Sequence, residues 1–122
     1  MPAPDVFRVM LRFTITEGTE TAFERVWFGI AERVRGTPGN LEQWLMRDAE
    51  DPSTYYLISD WTDETRFREF ERSAGHAADR ASLTPFRYGV SMSTMLVLRH
   101  FPGSFAAASP APSKLSTREG RS

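Results

Sequence analysis

Tyr55-Tyr56-Leu57-Ile58-Ser59-Asp60-Trp61-Thr62-Asp63-Glu64-Thr65-Arg66-Phe67-Arg68-Glu69-Phe70 changes its hydrophobic period from two to about four partway along. Tyr55, Leu57, Ser59 and Trp61 alternate with Tyr56, Ile58 and Asp60, as the side chains of a strand point to opposite faces. Thr62 then reads as a helix N-cap, with Asp63 and Glu64 in the first turn, where the helix dipole favours negative charge. Phe67, Phe70 and Ala74 follow on one helical stripe. A strand that runs straight into an amphipathic helix needs sheet partners, which the rest of the chain must supply.

Upstream, Leu41 to Glu50 reads as a strand and Asp51-Pro52-Ser53 as a turn, so that Thr54 to Trp61 closes a hairpin. Before that, Val6 to Thr16 alternates strictly, with Phe7, Val9, Leu11, Phe13 and Ile15 on one face. Glu17-Gly18 turns the chain, Thr19 reads as a cap, and Phe23, Val26, Trp27, Ile30 and Val34 mark a helix from Glu20. Gly36 closes that helix, and Pro38-Gly39 stops it from resuming. Downstream, Gly75 is expected to interrupt the second helix, Ala77 to Leu83 to add a helical turn, and Tyr88 to His100 to form a last strand.

The order β-α-β-β-α-β predicts an α+β, ferredoxin-like domain over residues 1–100, a four-stranded antiparallel sheet with its helices on one face. The other face would expose Met10, Trp44, Met46, Tyr56 and Ile58, which two copies packed sheet to sheet would cover; a homodimer is therefore expected. Residues 101–122 turn to Pro, Ala and Ser and read as a flexible tail.

Composition narrows the function. The 122 residues carry 40% hydrophobic and 25% charged side chains, a net charge of -1 and no cysteine. Thiolate chemistry, disulfides and iron–sulfur ligation are thereby excluded. Arginines alternate with acidic residues instead of clustering, which argues against nucleic acid. No apolar run is long enough to span a bilayer, and the N-terminus has no signal-peptide pattern, so a cytoplasmic protein is expected. The two histidines, His76 and His100, lie on either side of a strand and do not suggest a metal site.

What remains is an apolar cleft with a few polar groups, the usual form of a small-molecule site. Phe23 and Trp27 of the first helix, Tyr55, Leu57 and Ser59 of the third strand, and Phe67 of the second helix would border it, with Phe23 also serving the core. Trp61 stands at the strand end, with an indole N–H that needs a partner when buried. His76 can act as an acid or base near neutral pH, and Arg80 can aim a guanidinium at a developing anion.

The strand-to-helix junction from Trp61 to Phe67, Arg12-Phe13-Thr14-Ile15 before the first helix, and the helix exit Arg33-Val34-Arg35-Gly36-Thr37-Pro38-Gly39 together resemble the antibiotic biosynthesis monooxygenase family of dimeric α/β barrel proteins. The resemblance is to the small polyketide anthrone oxygenases in particular, and it spans Phe7 to about Arg99. It implies oxidation of an aromatic polyketide phenol or anthrone to a quinone by O2, with no metal or flavin cofactor, and a pocket that stabilises a substrate carbanion. Trp61 matches the pocket tryptophan of that branch, and Arg80 a pocket arginine. Leu57 stands where the branch carries an asparagine, and Phe67 where some members carry a tyrosine. The same barrel also suits a non-oxidative polyketide cyclase or isomerase, or an auxiliary binding protein.

Overall fold

A computed structural model describes residues 5–105. The elements run β1 (Val6–Ile15), α1 (Glu20–Val34), β2 (Asn40–Arg47), β3 (Thr54–Trp61), α2 (Glu64–Glu71), α3 (Ala74–Leu83) and β4 (Arg87–Val97). The strands form one antiparallel sheet in the order β2-β3-β1-β4. This is the ferredoxin-like α+β arrangement, with the second helical region divided into two helices. Of the expected tail, residues 106–122 lie outside the described residues.

Strand parity decides the core. Phe7, Val9, Phe13 and Ile15 of β1 are buried, and β1 pairs with β3 in a register that sets Phe7 beside Trp61 and Val9 beside Ser59. The helices cover this face. Phe23 of α1 packs on Phe13 and Tyr55 at ring separations of 5.7 and 4.8 Å, and Phe67 of α2 lies 5.7 Å from Trp61. The edge strand β4 is less well covered, so Val90, Met92 and Leu96 on the same face remain exposed.

Four local expectations are corrected. Thr62 does not cap α2, because its own N–H still bonds to the Gly39 carbonyl at 2.9 Å and holds it in the strand exit. Asp63 is the cap: its Oδ1 accepts from the Arg66 N–H at 2.8 Å. Thr19 occupies the N-cap position of α1, but its hydroxyl donates to the Thr16 carbonyl and caps nothing. Gly75 breaks no helix. The break falls at Ser73, whose extended backbone starts α3 and whose hydroxyl oxygen accepts from the His76 N–H at 3.1 Å. The last strand also ends early, at Val97.

Gly39 is required twice over. Its φ is +88°, a region that side chains with a Cβ avoid, and a Cβ there would collide with Cβ and Cγ of Arg66. Gly39→Ala is expected to cost at least about 1–2 kcal/mol from the backbone conformation alone. Urea denaturation would show this as a lower midpoint with an unchanged slope.

The opposite sheet face carries Met10, Tyr56 and Ile58, half-buried by their neighbours, and the more exposed Trp44, Met46 and Met95. Arg8 and Asp60 meet there in a two-pronged ion pair, Nε to Oδ1 at 2.7 Å and Nη2 to Oδ2 at 2.9 Å. The Arg8 guanidinium also lies 5.4 Å from the Trp44 ring. Asp60 is thus occupied on the face away from Trp61.

Candidate active site

Between the sheet and the helices lies a cavity of about 280 Å³. Its sheet wall is apolar at Val9, Leu11 and Leu57 and polar at Ser59 and Gln43, with Trp61 at the strand end. Trp27, Ile30 and Val34 of α1 close one side, and Phe67 and Phe70 of α2 another. From α3 come His76, Asp79, Arg80 and Leu83, the i, i+3, i+4, i+7 stripe of one helix face. Phe13 of β1, Glu71 at the end of α2, and Val90, Ser91 and Met92 of the exposed edge strand complete the lining.

Seven of the residues singled out in the sequence therefore share one cavity: Trp61, His76, Arg80, Trp27, Leu57, Ser59 and Phe67. Phe23 and Tyr55 do not line it. Both are fully buried against each other where α1 crosses the far end of β3, and the Tyr55 hydroxyl donates to Glu24. Burial, and then the Glu24 carboxylate, push the Tyr55 phenol up to about 12. Tyr55 and Trp61 share a strand face, yet they stand six residue steps apart, about 20 Å along the strand. A common face is therefore not a common site.

The tryptophan indole is already engaged. Trp61 is fully buried, stacked 5.0 Å from Phe70, and its Nε1–H donates to Ser59 Oγ at 3.0 Å. Trp27 differs, because its Nε1 is buried with no hydrogen-bond partner among the described residues. Gln43 is oriented by donation from Nε2 to the Ala31 carbonyl at 3.1 Å.

His76 sits in the first turn of α3, just after α2, and the Ser73 cap fixes its backbone there. Its ring lies 4.7 Å from that of Phe70. Burial lowers its pKa from the usual 6.5, Arg80 lowers it further, and Glu71 and Asp79 oppose the shift. The imidazole is thus held neutral at neutral pH and can accept a proton. Asp79 is itself buried and bound to Arg33 at 2.6 Å, whereas the Arg80 guanidinium has no carboxylate partner among the described residues. Among the described residues, no group of three or more histidine, aspartate or glutamate side chains could hold a metal ion.

Sequence reasoning missed Gln43, Glu71 and Asp79. Gln43 pairs with Ser59 across β2 and β3, so its face follows from the hairpin register, which the turn alone did not define. Asp79 is three residues from His76, a spacing that points to the cavity once α3 is known to be continuous.

The sequence profile of the antibiotic biosynthesis monooxygenase family matches residues 6–81, more than half of the chain. The protein belongs to that family. Its fold is shared with SnoaB, a cofactor-independent oxygenase from Streptomyces nogalater, at a TM-score of 0.73 and 23% identity, over 82% of this chain and 100% of that one. A putative antibiotic biosynthesis monooxygenase from Caulobacter crescentus superimposes at 0.72 with 16% identity, over 80% and 93% of the two chains. Protein SchA of Streptomyces halstedii is 26% identical over 104 residues, covering 85% of this chain. The chain spans 27% of the length of that curated relative. Among the described residues, no helix is long and apolar enough to cross a membrane.

Proposed function

We propose that this protein is a cytoplasmic, cofactor-independent monooxygenase that oxidises an aromatic polyketide phenol or anthrone to a quinone with O2 in antibiotic biosynthesis. The observation that carries this reading is a half-buried imidazole in the wall of an otherwise mainly apolar cavity, where burial disfavours its protonated form. Val9, Leu11, Leu57, Phe67 and Phe70 offer flat, dry surfaces to a fused aromatic ring. His76 takes a proton from the methylene carbon of the anthrone, and the electron pair delocalises onto the carbonyl oxygen across the central ring. Arg80 and the hydrogen-bonded Trp61–Ser59 pair are the groups assigned to that developing charge.

The carbanion gives electrons to O2 and bonds to it as a peroxide, to which His76 returns its proton. Loss of water from the hydroperoxide leaves the new carbonyl, so one oxygen atom enters the product and the other enters water. The substrate supplies every electron. Exclusion of bulk water by the cavity walls protects the intermediate.

Leu57 gives a second reading its motivation. An apolar residue at that strand position leaves less polar support for an oxygenated intermediate, which suits a cyclase or isomerase that needs only the His76 base. Incubation with 1,8-dihydroxyanthrone in chelator-treated, flavin-free buffer separates the two. The oxygenase consumes O2 and yields the anthraquinone well above the buffer rate. A polyketide precursor cyclised equally well under nitrogen, with no oxygen uptake on the anthrone, would establish the alternative.

The uncovered sheet face supports a homodimer. Trp44, Met46 and Met95 are each nearly 40% exposed beside Met10 and Ile58, an apolar surface that a second copy would remove from water.

A further inference from the structure

We infer that the hydroxyl of Ser59 is the group that donates to the ligand oxygen, and that Trp61 is a positioning residue acting through it. This inference rests on the oxygenase reading for its substrate, but its geometry stands on the site alone. An indole carries one N–H and no acceptor, and that of Trp61 is directed at Ser59 Oγ, 3.0 Å away. Trp61 is fully buried between Phe67 and Phe70, so the ring is held where it is.

Ser59 has what Trp61 lacks. Its oxygen accepts from the indole N–H and keeps a proton of its own, which is donated in no hydrogen bond among the described residues. Ser59 lines the cavity at only 7% exposure. Its cross-strand neighbours do not compete: Val9 is apolar, and Gln43 is turned toward the Ala31 carbonyl. Leu57, two residues along the same face, offers no polar group. Accepting from the indole also polarises the hydroxyl and strengthens it as a donor. The ligand therefore needs an acceptor oxygen on the edge that meets β3, as the carbonyl of an anthrone or anthraquinone provides.

The test is anaerobic titration with 1,8-dihydroxyanthraquinone, following its visible absorption band, together with turnover of 1,8-dihydroxyanthrone in air. The wild type should shift the band to longer wavelength on binding. Ser59→Ala should abolish the shift and lower kcat by about 100-fold, the usual effect of removing one donor to a developing oxyanion. Ser59→Thr, which keeps the hydroxyl, should restore both. Trp61→Phe should cause a smaller loss, and the double variant Ser59→Ala/Trp61→Phe should be no worse than Ser59→Ala alone.

The inference is overturned if Ser59→Ala keeps the shift while Trp61→Phe loses it, if the two losses multiply fully, or if the wild type shows no shift at saturation. A wild type that shifts the band through Ser59 but never consumes O2 would defeat the oxygenase reading and leave this assignment in place.

Discussion

His76→Gln is expected to lower kcat by about 10²- to 10⁴-fold, the range for loss of a general base. Glutamine keeps the backbone N–H that bonds to Ser73, so the α3 cap survives and the effect reports on the imidazole. The wild-type rate should rise with pH to a plateau, with an apparent pKa below 6.5, because burial and then Arg80 favour the neutral ring over the opposing carboxylates of Glu71 and Asp79. Stability follows with the same sign. The unfolded chain binds the His76 proton more readily than the folded one, so this contribution is present above 6.5 and is lost as pH falls through the folded pKa. A rate profile that falls with rising pH, or a His76→Gln variant of normal kcat, would remove His76 from the chemistry.

Ile58→Glu is expected to prevent the proposed dimer from forming without unfolding the chain. Ile58 stands between Met10 and Trp44 in the sheet register and is itself half-buried on the uncovered face. A carboxylate there is accessible to water in a monomer but buried without a partner in a sheet-to-sheet dimer, at a cost of several kcal/mol. The dimer dissociation constant should therefore rise by at least about 100-fold, read by sedimentation equilibrium, while the far-ultraviolet circular dichroism stays the same. An Ile58→Glu variant that sediments as the wild type does would place any dimer interface elsewhere.

The large elements were legible because their periods are long and clean. β1 alternates between buried and less buried positions over most of its length, and the stripe from Phe23 to Val34 spans three turns, so burial leaves little choice of face; β3, inside the sheet, is buried on both faces at its ends. Junctions were harder because neighbouring residues compete for one role. Thr62 and Asp63 can each cap a helix, and only the bond from Thr62 N–H to the Gly39 carbonyl, 23 residues upstream, decides between them. Gly75 is a poor helix former that is nevertheless tolerated in the first turn of α3, because the Ser73 cap stabilises that turn.

The candidate site shows the same division. Parity put Leu57, Ser59 and Trp61 on one face, and all three line the cavity. Parity also brought in Tyr55, which the covering helix shuts away at the other end of the strand. Distance along a strand, the register of a hairpin and the direction of a single indole N–H are long-range facts, and no local pattern encodes them. The Trp61 to Ser59 bond is the clearest case, since the residue types alone leave the indole free.

The most direct measurement is isotopic. Oxidation of 1,8-dihydroxyanthrone under ¹⁸O₂ in unlabelled water, with metal chelated and flavin removed, should give a quinone carrying one ¹⁸O atom in its new carbonyl, formed at a rate that depends on His76. A new carbonyl oxygen drawn from water, or an anthrone left unchanged by the protein, would contradict the account.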